Sequence, residues 1–139
     1  MSRLQKKLRD EKGTSQEYYE LGSIYLDKKL FSQAVVILQK ALKAKDLQGE
    51  ENIALVYNAL GYSYASQEQY DLAIRQYKEA LKNQPKYVTA LNNLAFAYER
   101  KKLISQALEC YEEVLLYEPN NPTAKKRSQS LRRQVVPST

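Results

Sequence analysis

The chain has 139 residues, a net charge of +6 and no histidine, so neutral-pH acid–base chemistry would lack its usual imidazole. That length makes one domain, and 43% hydrophobic residues suffice for a continuous core. Cys110 is the single cysteine, which excludes an intramolecular disulfide and fits a reducing compartment.

The first predicted element, over residues 2–12, is a short basic helix with Leu4 and Leu8 one turn apart and Arg3, Lys6, Lys7 and Arg9 around them. Gly13 and Thr14 mark a break. Two helices follow at about Ser15–Lys28 and Phe31–Lys45, with Ser15 and Ser32 as candidate N-caps. The run Ala34, Val35, Val36, Ile37, Leu38 is denser than one helix face requires, so part of it is expected to pack on the connection that follows or on the N-terminal helix. Further pairs are expected at about Glu51–Gln67 with Tyr70–Asn83, and Tyr87–Lys101 with Ile104–Tyr117. Asp71 sits near a helix start, where the dipole favours an acid. Asn121 before Pro122 reads as a cap and first turn, opening a polar last helix to about Gln134 that covers the end of a stack.

These helices repeat. Tyr57, Leu60, Gly61, Tyr64, Ala73, Tyr77, Ala80 and Pro85 occupy positions 4, 7, 8, 11, 20, 24, 27 and 32 of a 34-residue unit. One unit later stand Leu91, Leu94, Ala95, Tyr98, Ala107, Tyr111, Val114 and Pro119. Upstream, Tyr18, Leu21, Gly22, Tyr25, Ala34, Leu38 and Ala41 form a first copy, but Gly22 lies 39 residues before Gly61, so five residues are inserted within Lys45–Asn52. Bulky residues at this spacing fill the space between antiparallel helices, and Gly61 and Ala73 are expected to let the backbones come close. The pattern resembles the tetratricopeptide repeat. It implies an all-α, right-handed superhelix: a basic N-terminal segment (1–14), three helix-turn-helix repeats (15–53, 54–87 and 88–121), and a basic capping helix with tail (122–139).

In such a stack, positions 2, 5, 9, 12 and 13 of each unit line the concave face. They hold Gln16, Tyr19, Ser23, Leu26 and Asp27, then Leu55, Asn58, Tyr62, Ala65 and Ser66, then Thr89, Asn92, Phe96, Glu99 and Arg100. Asn58 and Asn92 recur at one position, where amides can pair with the backbone of an extended peptide, while Tyr19, Tyr62 and Phe96 offer flat apolar contact. The candidate partner groove is therefore Tyr19, Ser23, Asn58, Tyr62, Asn92, Phe96 and Arg100. Repeat proteins that clamp the carboxylate tail of heat-shock chaperones place basic and amide residues where this chain has Tyr19, Ser23, Ala59, Thr89 and Asn93; no basic residue stands there, so it does not resemble them.

Charge is concentrated at the ends. Residues 1–12 carry five basic and two acidic side chains, residues 125–133 five basic and no acidic ones, and the rest twelve against fourteen. Arg3, Lys6, Lys7 and Arg9, and Lys125, Lys126, Arg127, Arg132 and Arg133, are candidate contacts for an anionic membrane or acidic protein surface. The tyrosines fall mostly at core positions, so base stacking and nucleic-acid binding are not expected. Nothing in the sequence has the spacing of a phosphate loop, a metal site or an activated nucleophile, and the chain reads as a non-enzyme with no cofactor. No run of 18 apolar residues occurs, and MSRLQKKLRD lacks the apolar middle of a signal peptide.

Three stretches go beyond the generic repeat: LGSIYLDKKLFSQA at 21–34, NALGYSYASQEQYDLAI at 58–74 and YVTALNNLAFAYERKKLISQALECYEEVLLYEPNN at 87–121. They resemble the tetratricopeptide photosystem I assembly factors of cyanobacteria and plastids, whose plant form is known from pale-yellow-green mutants. The resemblance implies an accessory protein on the cytoplasmic or stromal side of thylakoids, with photosystem I subunits or other assembly factors as partners. Members of that family carry a membrane span ahead of the repeats. This sequence has none, so it reads as the soluble portion of a longer protein or as a soluble variant. The alternatives are a general adaptor for another complex and, further off, single-stranded RNA binding.

Overall fold

The computed structural model describes residues 13–135. The basic helix expected at 2–12, with Arg3, Lys6, Lys7 and Arg9, lies outside them. Seven helices follow in order: α1 (Ser15–Asp27), α2 (Phe31–Lys43), α3 (Glu50–Ser66), α4 (Tyr70–Asn83), α5 (Val88–Arg100), α6 (Ile104–Tyr117) and α7 (Pro122–Val135). No strand occurs among the described residues.

Each helix packs on the next one in the chain. In addition α3 touches both α1 and α5, whereas no comparable contact joins α2 to α4 or α4 to α6. One layer is thus drawn together and the other spread apart. The stack curves with α1, α3 and α5 on its concave side.

The turn inside each pair is repeated with little change. Lys29, Glu68 and Lys102 all take left-handed backbone conformations at φ 60°, 60° and 62°. The next amide then reaches back to Tyr25, Tyr64 or Tyr98 at 2.8–2.9 Å, and the left-handed residue's own amide reaches Leu26, Ala65 or Glu99 at 2.9–3.0 Å. These paired bonds satisfy the last carbonyls of α1, α3 and α5.

Two cap expectations are corrected. Thr14, not Ser15, caps α1: its hydroxyl accepts from the Glu17 amide at 3.2 Å and the Glu17 carboxylate accepts from the Thr14 amide at 3.0 Å. Ser32 does not cap α2, which starts from Leu30 without a side-chain cap. Its hydroxyl instead donates to Gln67 at 3.0 Å, joining the first two repeats at their turns. Asn121 caps α7 as expected, its side-chain oxygen accepting from the Ala124 amide at 3.0 Å.

The core is built from the repeat residues. Ala34, Leu38, Ala73, Tyr77, Ala107 and Tyr111 are all buried to within 1% exposure, and each large one stabilises the stack by about 2 kcal/mol. A Cβ on Gly61 would lie 2.6 Å from the Tyr77 ring, and one on Gly22 would lie 2.6 Å from Leu38. The small residue therefore makes room for the side chain across the pair, where a bare approach of backbones was expected. Of the dense run in α2, Ala34 and Leu38 are buried, Ile37 packs in one cluster with Leu47 of the following connection, and Val36 is 54% exposed.

Candidate partner groove

The concave face carries the expected positions but divides them into two kinds. Leu55, Tyr62 and Phe96 are 37%, 48% and 52% exposed, an apolar row on α3 and α5 that none of the described residues covers. Tyr19, Ser23, Asn58 and Asn92 are half-buried, and Arg100 is exposed.

The two asparagines are already at work inside the fold. Asn58 donates to the Tyr87 hydroxyl at 3.3 Å and accepts from Asn93 at 3.1 Å. Asn92 donates to the Asn121 side-chain oxygen at 3.4 Å. Tyr87 and Asn121 are the residues from which α5 and α7 start, so each asparagine ties its repeat to the next inner helix. Burial, with the nearby Tyr19, pushes the Tyr87 hydroxyl above its ordinary pKa, and the Asn58 bond works in the opposite direction. The side-chain oxygen of Asn92 is buried with no hydrogen-bond partner.

At the far end, Glu99 accepts from the Tyr111 hydroxyl at 2.6 Å and from Arg127 Nε at 3.2 Å, and it pairs with Arg127 Nη2 as well. The Glu99 side chain is only 12% exposed, so this bidentate pair is screened less than a surface pair. Burial first, and the Glu99 hydrogen bond second, drive the Tyr111 pKa upward, while the Glu99 hydrogen bond raises that of Arg127. These groups, with Asn92, Asn93, Phe96 and Arg100, surround an open depression of about 650 Å3 between α5 and α7. Arg100 lies 5.9 Å from the centre of the Tyr70 ring, and its Nε donates to that hydroxyl at 3.3 Å. The guanidinium is held at the groove edge.

Of the C-terminal basic set, the structure brings Arg127 to the groove wall. Arg132 pairs with Glu112 at 3.3 Å on the surface, an arrangement worth little by itself. Lys125, Lys126 and Arg133 are exposed. Sequence reasoning had no place for Tyr87, Asn93 and Asn121 as partners of the two asparagines, or for Glu99 as the partner of Tyr111 and Arg127, although the recurrence of an asparagine at position 5 was the available signal for the first of these. Burial and the neighbouring Glu113 and Glu109 charges push the Cys110 thiol up to about 12, so it is not a reactive thiolate. Among the described residues no group of histidine, cysteine or acidic side chains could hold a metal ion.

Family descriptions reading "TPR repeat" match residues 61–102, and "Tetratricopeptide repeat" residues 18–46 and 88–121. An uncharacterized protein ycf37 of Cyanophora paradoxa is 45% identical over 127 residues, covering 91% of this chain and 73% of that protein. The tetratricopeptide repeat domain-containing protein PYG7, chloroplastic, of Arabidopsis thaliana is 42% identical; 95% of this chain aligns, spanning 44% of the plant protein's length. Among solved structures, MamA superposes with a TM-score of 0.85 at 21% identity, covering 94% of this chain and 74% of that one. The first TPR of Spaghetti (RPAP3), bound to the HSP90 peptide SRMEEVD, gives 0.79 at 18% identity, with 87% and 92% covered. At such identities these structures establish the tetratricopeptide superhelical fold.

Proposed function

We propose, from the premise that this chain belongs to the ycf37 family of tetratricopeptide-repeat proteins, that it is a non-enzymatic assembly scaffold holding an extended partner segment in its concave groove. The observation that carries this reading is the row of Leu55, Tyr62 and Phe96, large apolar side chains left exposed on the inner face of a fold that buries most of its others. An uncovered apolar row flanked by polar groups is the usual mark of a protein interaction site. The scaffold covers the segment until its final partner displaces it, which suppresses wrong contacts during assembly.

The partners that go with this reading are photosystem I subunits or other assembly factors, on the resemblance carried by residues 21–34, 58–74 and 87–121. The chloroplastic relative supports a plastid setting, and the cytoplasmic or stromal face of a thylakoid is the location proposed. Among the described residues no helix is long and apolar enough to cross a membrane. Contact with an anionic membrane surface falls to Lys125, Lys126 and Arg133, which face solvent at the end of the stack.

The test is to immobilise the chain, pass detergent-solubilised cyanobacterial or chloroplast membranes over it, and identify retained proteins by mass spectrometry. Tyr62→Ser with Phe96→Ser is the control, because both side chains are half-exposed and their loss leaves the core intact. Enrichment of photosystem I subunits that disappears in the double variant is the expected result. Retention of other partners through the same residues makes the protein a general adaptor, and retention unaffected by the variant rules the groove out.

A further inference from the structure

The five-residue insertion after α2 does more than lengthen a connection. Asp46 is pinned to the start of α1, its carboxylate accepting from the Ser15 amide at 2.9 Å and from the Ser15 hydroxyl at 3.2 Å. Asn52 donates back to the Gln48 carbonyl at 3.0 Å. Leu47 is thereby held in the cluster of Tyr18, Leu21 and Val56. The pinned segment, together with α1 and α3, lines a cavity of about 240 Å3 at the first repeat, with Tyr19, Leu47, Leu55 and Val56 as its apolar lining and Gln16 and Asp46 among its polar groups.

Small-molecule sites usually measure about 300–1,000 Å3, so this space suits one side chain better than a whole ligand. Leu55 is 37% exposed and offers its outer surface to the cavity. Among the described residues the lining has no cation. The charge among those residues is Asp46, and Glu20, which accepts from Gln16 at 3.2 Å, stands one helical turn along α1. At the other end of the same face the exposed charge is the cation Arg100. An acidic residue beside the first-repeat cavity would therefore meet like charge.

We propose, resting on the groove reading, that this cavity is the anchor pocket of the groove: it takes one aliphatic or aromatic side chain of the bound segment, flanked by neutral or basic but not acidic residues. The insertion is then a specificity element, placed where a regular 34-residue spacing would leave the groove open.

The probes are N-acetyl-leucinamide and the α-amide of N-acetyl-aspartic acid, which keeps its side-chain carboxylate, titrated into the full chain with labelled methyl groups and followed by NMR. A ligand of this size in such a pocket binds with Kd of about 1 mM or weaker. The leucine probe is expected to shift the methyls of Leu47, Leu55 and Val56 in a saturable way, and the aspartate probe at least tenfold less. Leu55→Trp, which fills the space from a partly exposed position, should abolish the shifts with an unchanged thermal midpoint. Absence of saturable shifts at these methyls, or equal response to both probes, overturns the proposal. Shifts that change on diluting the protein alone overturn it too, by assigning the cavity to a second copy of the chain. With a partner recovered on the immobilised chain, affinity that falls with Phe96→Ser but not with Leu55→Trp rejects the anchor pocket and leaves the groove standing; insensitivity to both rejects the groove as well.

Discussion

In the second and third repeats the asparagine at position 5 reaches the residue from which the next inner helix starts, Asn58 to Tyr87 and Asn92 to Asn121. In the first repeat that position is Tyr19, and the helix that follows starts from Gly49, which has no side chain to reach. The core partner at position 24 differs in the same way: Tyr77 and Tyr111 in the later repeats, Leu38 in the first. The later repeats are tied together by polar groups along the concave face. The first is held to the second by apolar packing and, away from that face, by the Ser32–Gln67 and Gln39–Tyr64 bonds, while its own Asp46–Ser15 bonds leave the inner surface available to a cavity.

The largest expected effect tests the position-24 difference. Gly61→Leu should lower stability by at least about 1–3 kcal/mol, because its Cβ alone would stand 2.6 Å from a Tyr77 ring that is 1% exposed and cannot yield. Gly22→Ala should cost less than Gly61→Ala, since Leu38 can turn about its own bonds where an aromatic ring cannot. Equal thermal midpoints for the two alanine variants would remove the distinction.

Alkaline pH should separate the repeats next. The Tyr77 and Tyr111 pKa values are raised above the ordinary 10.0, chiefly by burial. Above that pH the unfolded chain releases protons that the folded one keeps, so stability is fully present below pH 10.0 and falls as pH rises further. Exchange protection, taken relative to the base-catalysed rate of an unfolded chain, should fall in α4 and α6 before α2, where Leu38 has no proton to lose. An equal fall in all three would contradict this.

The amide ties come third. Asn58→Ala should cost about 1–2 kcal/mol, as it removes a donor and an acceptor that both have partners. Asn92→Ala should cost less, since it loses one bond and also removes an oxygen buried without a partner. Tyr19→Asn should restore no tie, because Gly49 offers none. Urea unfolding of the three variants checks the order, and an equal loss for Asn58→Ala and Asn92→Ala would reject the assignment.

The smallest effect concerns what all repeats share. Lys29→Gly, Glu68→Gly and Lys102→Gly should each stabilise by about 0.5–1 kcal/mol, because glycine adopts the left-handed turn without strain. Similar gains in thermal midpoint are expected, and a gain in one repeat alone would show that the turns are not equivalent.

The helix pairs, their order and the core were legible in the chain, since Tyr, Leu, Gly and Ala at fixed spacing specify a local packing that each repeat can complete with its neighbour. The insertion within Lys45–Asn52 and the candidate groove positions are also readings of spacing alone. Which of those positions stay exposed depends on how the helices stack. Asn58 and Tyr62 lie on one turn of α3 and look alike in a repeat alignment, yet one is bonded to residues 29 and 35 positions away and the other is 48% exposed. Arg127 likewise reads as one charge in a basic run, and becomes part of the groove wall because Glu99, 28 residues earlier, is brought against it. Spacing along the chain encodes contacts within a repeat; contacts between repeats depend on how the units are stacked.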